Sequence, residues 1–177
     1  VKAVKSYSYM DQAPQQEVNI HEGINDTLTI MAHKLRDKHI TVVKDYGQNL
    51  PLITAFGSEL NQVWTNIIDN GIDAMSDANG SGTLKIRTWG DDEDVWVELA
   101  DDGPGIPDHI QSRIFEPFFT TKGVGTGTGL GLDIAHRVVV TRHHGEIKLL
   151  SKPGETRFQI RLPRQQPKSQ NADASNE

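Results

Sequence analysis

Apolar residues recur at helical spacing from His21 onward, with Ile24, Leu28, Met31 and Leu35 on one face. Glu17-Val18-Asn19-Ile20, just before, reads as a short strand. Further upstream, Val1, Val4, Tyr7 or Ser8, and Met10 stand at roughly helical spacing. That spacing fits the end of a longer helix and equally a frayed terminus, and Asp11 to Gln16, with Pro14, reads as a linker. After the first full helix come a strand at Ile40-Thr41-Val42-Val43, a turn at Gly47-Gln48-Asn49 and a short strand near Leu52-Ile53-Thr54. A second helix opens at Gly57-Ser58, with Ser58 as the expected N-cap. Leu60, Val63, Trp64, Ile67, Ile68 and Met75 form its apolar stripe, and the cluster Ser76 to Gly82 is expected to end it.

Strict alternation then takes over. Leu84, Ile86 and Thr88 alternate with Lys85, Arg87 and Trp89; past the turn at Gly90-Asp91-Asp92-Glu93, Val95, Val97 and Leu99 alternate with Trp96 and Glu98. Asp101-Asp102-Gly103-Pro104-Gly105 breaks that strand, and a short helix fits between Pro107 and Phe115. Leu130 to Arg142 reads as a third helix stopped near Gly145. Glu146 to Leu150 and Arg157 to Leu162 read as two last strands around Pro153-Gly154. Adjacent hairpins require antiparallel pairing, and three amphipathic helices require one apolar face to cover. The predicted fold is therefore α+β: a two-layer sandwich with a mixed, mostly antiparallel sheet covered on one face by three helices. Residues 1–16 are expected to be the end of a preceding helix plus linker, 17–163 the globular domain, and 164–177 a disordered polar tail.

Composition narrows the possible functions. The 177 residues suit one domain, and a formal charge of −6 argues against a general nucleic-acid binder, which needs a basic face. No cysteine is present, which removes disulfides, thiolate metal sites and cysteine nucleophiles and fits a cytoplasmic setting. No apolar run approaches bilayer-spanning length, so no membrane contact is expected of these residues. A chain opening on Val1 rather than Met is expected to be a piece of a longer protein.

Three stretches carry candidate chemistry. Between Phe115 and Leu132, glycines at alternate positions (125, 127, 129 and 131) allow close backbone approach to a ligand just before a helix, whose N-terminus favours phosphate. Lys122 stands beside them. A plain flexible linker has the same composition. On the second helix Asn66, Asn70 and Asp73 share one face at i, i+4 and i+7. Asparagine is unfavourable inside helices, so two of them one turn apart are either a solvated face or ligands, and a carboxamide oxygen suits Mg²⁺. Asp101-x-Gly103-x-Gly105 is either a strand-ending turn or a carboxylate placed to accept a hydrogen bond from an exocyclic amine such as adenine's, with glycines against the ring.

Taken together and in order, Asn66-x-x-x-Asn70, Asp101-x-Gly103-x-Gly105-Ile106, Phe115-x-Pro117-Phe118-Phe119 and Gly127-Thr128-Gly129-Leu130-Gly131-Leu132 resemble the four sequence boxes of the ATP-binding catalytic domain of sensor histidine kinases, within the wider family that includes gyrase and Hsp90. The resemblance covers about residues 17–163. Asp73-Ala74-Met75 and Phe118-Phe119-Thr120-Thr121-Lys122 are similar to the nitrogen-regulation and oxygen-sensing type. The resemblance implies ATP held between helices and a lid over about residues 106–126. Asn70 would bind Mg²⁺, and Asn66 phosphate or metal. Asp73 is placed with the nucleotide-binding residues. Asp101 would bond the adenine amine, with Gly103, Gly105 and Ile106 lining the base. Lys122 would meet the γ-phosphate, and Gly125, Gly127, Thr128, Gly129, Leu130 and Gly131 the phosphate chain. Phe115 and Phe118 would anchor the lid. Implied partners are a dimerisation and phosphoacceptor domain of the same kinase and a response regulator.

Three departures from the family pattern stand out: Gly71 where alanine is usual, His143-His144-Gly145 for His-Gly-Gly, and Glu155-Thr156 for Gly-Thr. None is expected to touch the proposed ligands. Hydrolytic relatives carry glutamate at the position of Asn66, and an amide cannot take a proton from water. Transfer to an imidazole is therefore favoured over hydrolysis, with a non-catalytic nucleotide-sensing module as the alternative. None of the seven histidines matches an acceptor motif, so the acceptor is expected outside these residues.

Overall fold

The computed structural model describes residues 15–120 and 131–166. Its strands are β1 (Gln16–Val18), β2 (Ile40–Asp45), β3 (Ile53–Ala55), β4 (Gly82–Gly90), β5 (Asp94–Asp101), β6 (Glu146–Lys152) and β7 (Glu155–Pro163). Its helices are α1 (Ile20–Ile30), α2 (Ala32–Asp37), α3 (Gly57–Asn79), the short α4 (Asp108–Gln111) and α5 (Gly131–His136), which runs on as a π-helix over Arg137–Arg142.

Five strands form one sheet in the order β2-β4-β5-β7-β6. β2 lies parallel to β4, Val42 opposite Leu84, and every other neighbour is antiparallel. β1 and β3 make a separate antiparallel ribbon. Period-two alternation sends Leu84, Ile86, Val97, Leu99, Phe158 and Ile160 into the core. Their neighbours Lys85, Arg87, Trp89, Trp96, Arg157 and Arg161 lie on the opposite, open face, where Trp89 stacks on Trp96. Burying one face against helices while solvating the other is the ordinary solution for an antiparallel sheet.

α3 is the central helix. It lies over β4 and β5, with α1 on one side and α5 on the other. Leu60, Val63, Trp64, Ile67, Ile68, Ile72 and Met75 are all buried.

Several boundaries differ from the sequence expectation. The first helix breaks at Met31, whose backbone (φ −90°, ψ 3°) ends α1 and opens α2. Apolar spacing runs across the break because Met31 and Leu35 still face the core. Ser58 is not the N-cap of α3: that position is Phe56, which has no side-chain cap. The Phe56 carbonyl takes the Leu60 N–H, and its own N–H is taken by His143, so the helix starts two residues early. At the other end α3 continues through Asn79 and stops at Gly80, whose φ of 70° closes a left-handed cap.

Candidate functional site

On α3, Asp69, Asp73, Asn66 and Asn70 occupy an arc of about 100° at one rim of the apolar stripe. The Asn66 Nδ2 donates to the Gly131 carbonyl at 3.1 Å. That bond ties the middle of α3 to the first residue of α5 and leaves the Asn66 carbonyl oxygen as an acceptor. Asn70, one turn on and half-buried, makes no side-chain hydrogen bond among the described residues. Asn66 thus stands where α5 begins, with Asn70 on the same face of α3 one turn on. Asp73 is engaged by Lys34 of α2 at 2.9 Å, and the same ammonium pairs with Asp69. Desolvation opposes the Lys34 charge, but the two carboxylates outweigh it and raise its pKa above the ordinary lysine value.

Asp101 ends β5 further round α3. The loop after it is packed tightly on the helix: a Cβ on Gly103 would stand 3.5 Å from the backbone of Ala74, and one on Gly71 would stand 3.2 Å from Asp101 Oδ2. Asp101 Oδ1 accepts the Gly103 N–H at 3.0 Å. Burial pushes its carboxyl up to about 6, against that hydrogen bond and with added repulsion from Asp102. A buried carboxylate with an oxygen to spare is a natural acceptor for an amine N–H. Gly105 is held at φ 83°, and a Cβ there would come within 2.3 Å of the Lys152 carbonyl, so only glycine fits. The Ile106 N–H donates to Ser151 Oγ at 2.8 Å, pinning this loop to the β6–β7 turn.

Asn66 is thus joined to Gly131 at the start of α5, Asp101 and Gly103 pack on α3 at Gly71 and Ala74, Gly105 and Ile106 are held against the end of β6, and Asp73 is turned to Lys34 of α2, while Asn70 shares the helix face of Asn66. Lys122, Gly125, Gly127, Thr128, Gly129 and Leu130 lie outside the described residues. A separate hollow at the far end of β5, lined by Leu52, Asp92, Glu93 and Arg164, contains none of these groups.

Two expectations need correction. Phe118 is not packed against the core: it is 73% exposed with φ 64°. That left-handed turn points Phe119 inward instead, against the core and beneath the Arg113 guanidinium. Phe115 does pack, against Phe158 and His136. The departures from the family pattern also reach the site. Gly71 backs Asp101, and Glu155 directly precedes Thr156, which pairs with Asp101 across β5 and β7.

Sequence patterning missed Lys34, Ser151 and His143. His143 is fully buried, accepting the Phe56 N–H at 3.1 Å on Nε2 and sitting 2.8 Å from the Val138 carbonyl through Nδ1. This joins the start of α3 to the end of α5, where the π-helical bond from His143 N–H to Val138 spans five residues. The sequence marks it as part of His143-His144-Gly145 but gives no sign of its partner Phe56.

The family described as histidine kinase-, DNA gyrase B- and HSP90-like ATPase matches residues 57–166. The sensory histidine kinase/phosphatase NtrB of Rhodobacter capsulatus is 34% identical over 176 residues, covering 92% of this chain and 48% of that protein. The chain spans about half the length of the curated relatives it matches. Among solved structures, the nucleotide-free catalytic domain of histidine kinase ThkA superposes with a TM-score of 0.77 at 28% identity, covering 85% of this chain and 96% of that one. ThkA in complex with the response regulator protein TrrA gives 0.72 at 26% identity, covering 85% and 42%.

Proposed function

The chain belongs to the histidine kinase-, DNA gyrase B- and HSP90-like ATPase family, and from that premise we propose that it binds Mg-ATP and serves as the catalytic domain of a protein-histidine kinase. The γ-phosphoryl group would pass to a histidine on a dimerisation domain beyond residues 17–163, for relay to a response-regulator aspartate. The fold is that of sensor histidine kinase catalytic domains. The relatives named as NtrB support the nitrogen-regulation subtype, and ThkA, crystallised with its regulator, supports a response regulator as partner. A cytoplasmic site of action fits such kinases, and no helix among the described residues is long and apolar enough to cross a membrane.

One observation carries the reading: Asn66 is bonded to the start of α5, Asn70 follows one turn on along the same helix face, and the buried Asp101 carboxylate lies against that helix at Gly71. The donor set fits the ligand. Carboxamide oxygens are hard, neutral ligands for a magnesium ion that is completed by phosphate and water. Asp101, with Oδ1 on the Gly103 N–H, would accept an exocyclic N–H at its other oxygen, and Gly103, Gly105 and Ile106 would line the base as the resemblance implies. Lys122 and the glycines from 125 to 131 would neutralise and cradle the phosphates, as the resemblance implies. Bound magnesium would screen the phosphate charge during transfer.

The amide at Asn66 favours transfer over hydrolysis. Its carboxamide cannot take a proton from water, and Glu59, two turns earlier on α3, is paired with Arg142 at 2.9 Å. In the transfer step an imidazole nitrogen bonds to the γ-phosphorus as the bond to the ADP oxygen breaks. The nucleophile brings its own lone pair, so no general base on α3 is needed. Restoring the preceding region and incubating with γ-labelled ATP tests this. Acid-labile, base-stable label on protein is expected; phosphate release without protein label would contradict it.

A further inference from the structure

Lys34 is a charged group near the cleft that the proposed chemistry leaves unused. It comes from α2, a helix that contributes nothing else to the site, and its ammonium bridges Asp69 and Asp73 on α3. These carboxylates flank the carboxamides: Asp69 directly precedes Asn70, and Asp73 follows it by three residues. A nucleoside triphosphate placed against Asn66 and Asn70 would therefore meet two like charges within about a helical turn. The lysine side chain is only 34% exposed, so solvent screens this cluster less than a free surface pair.

We propose that Lys34 sets the charge of the phosphate end of the cleft, cancelling one of the two negative charges of Asp69 and Asp73 so that a polyphosphate anion can sit beside Asn66 and Asn70. The inference rests on the nucleotide reading above. It makes Lys34 a positioning residue for the triphosphate rather than a group that touches the reacting atoms. Its effect must grow with the number of phosphates, because the base and ribose carry no charge. It must also depend on charge rather than shape.

The test is calorimetric titration of adenosine, Mg-ADP and Mg-ATP into the 177-residue chain and the variants Lys34→Met, Lys34→Arg and Lys34→Met/Asp69→Asn. A half-exposed ion cluster contributes little to folding, so all variants are expected to melt within a few degrees of the parent. Lys34→Met should weaken Mg-ATP by about tenfold, Mg-ADP by less and adenosine by under about twofold. Lys34→Arg and the double variant should recover most of the Mg-ATP affinity. Equal weakening of all three ligands, or no recovery in either rescue variant, overturns the proposal. If the parent binds none of the three, the nucleotide reading itself fails and this inference falls with it; parental binding with an unchanged Lys34→Met sinks the inference alone.

Discussion

Gly71 and Asp101 face each other so closely that a methyl group on the glycine would stand 3.2 Å from Asp101 Oδ2. A glycine inside a helix costs about 1 kcal/mol relative to alanine, and Gly71 lies deep in α3. The gap it leaves lets the Asp101 carboxylate lie flat on the helix while Oδ1 holds the Gly103 N–H. Gly71→Ala should therefore raise stability by less than about 1 kcal/mol, since part of the propensity gain is spent moving the carboxylate. The same shift should weaken ATP binding by roughly threefold, since a displaced acceptor loses part of one hydrogen bond. Chemical denaturation and calorimetry on one preparation measure both.

Asp101 should be a stability liability at neutral pH. Burial pushes its carboxyl from 3.8 up to about 6 in the native protein, so the folded state holds this proton more tightly than the unfolded chain. Its contribution therefore improves as pH falls from above 6 towards 4, the reverse of an ordinary paired carboxylate. A two-unit shift corresponds to at most about 3 kcal/mol at pH 8. Asp101→Asn, which keeps the acceptor for Gly103, is expected to recover about 1–2 kcal/mol at pH 8 and almost nothing at pH 4. Urea midpoints across that range check it.

His143 should behave in the opposite sense. Desolvation lowers its pKa below 6.5, and its Nε2 must stay unprotonated to accept the Phe56 N–H. The stability it contributes is complete above pH 6.5 and is lost as pH falls below that, because the unfolded chain then binds the proton more readily. His143→Phe keeps a ring but strands the Phe56 N–H; a loss of about 2–4 kcal/mol is expected, with little remaining pH dependence from this site. The π-helical turn beside it should also lose amide exchange protection.

Magnesium removal should mimic loss of Asn70. If the carboxamide holds the ion, chelation with EDTA should weaken ATP binding by at least about tenfold in the parent and have little effect on Asn70→Ala. Equal sensitivity to EDTA in both proteins would remove Asn70 from the metal.

The periodic parts of this fold were legible in the sequence. α3, the β4–β5 hairpin and the closing strands carry apolar residues at one clear period each, and the ordered boxes point to the family that the comparisons show. What sequence could not supply were relationships between elements distant along the chain. Lys34 looks like an ordinary charged helix residue until α2 is folded against α3. Ser58 has the composition of a cap, yet the Phe56 N–H is claimed by a histidine 87 residues away, and the helix begins earlier. Phe118 and Phe119 are indistinguishable by composition; a positive φ at the first turns only the second inward.

The most direct measurement is a calorimetric titration of Mg-ATP into the 177-residue chain and into Asp101→Asn. The asparagine can still accept the Gly103 N–H, but its amide nitrogen then opposes the adenine amine, donor against donor. Saturable binding by the parent and a loss of at least about thirtyfold in the variant are expected. Equal affinity in the two proteins, or no binding by the parent, would contradict an adenine nucleotide held between α3 and the loop after β5.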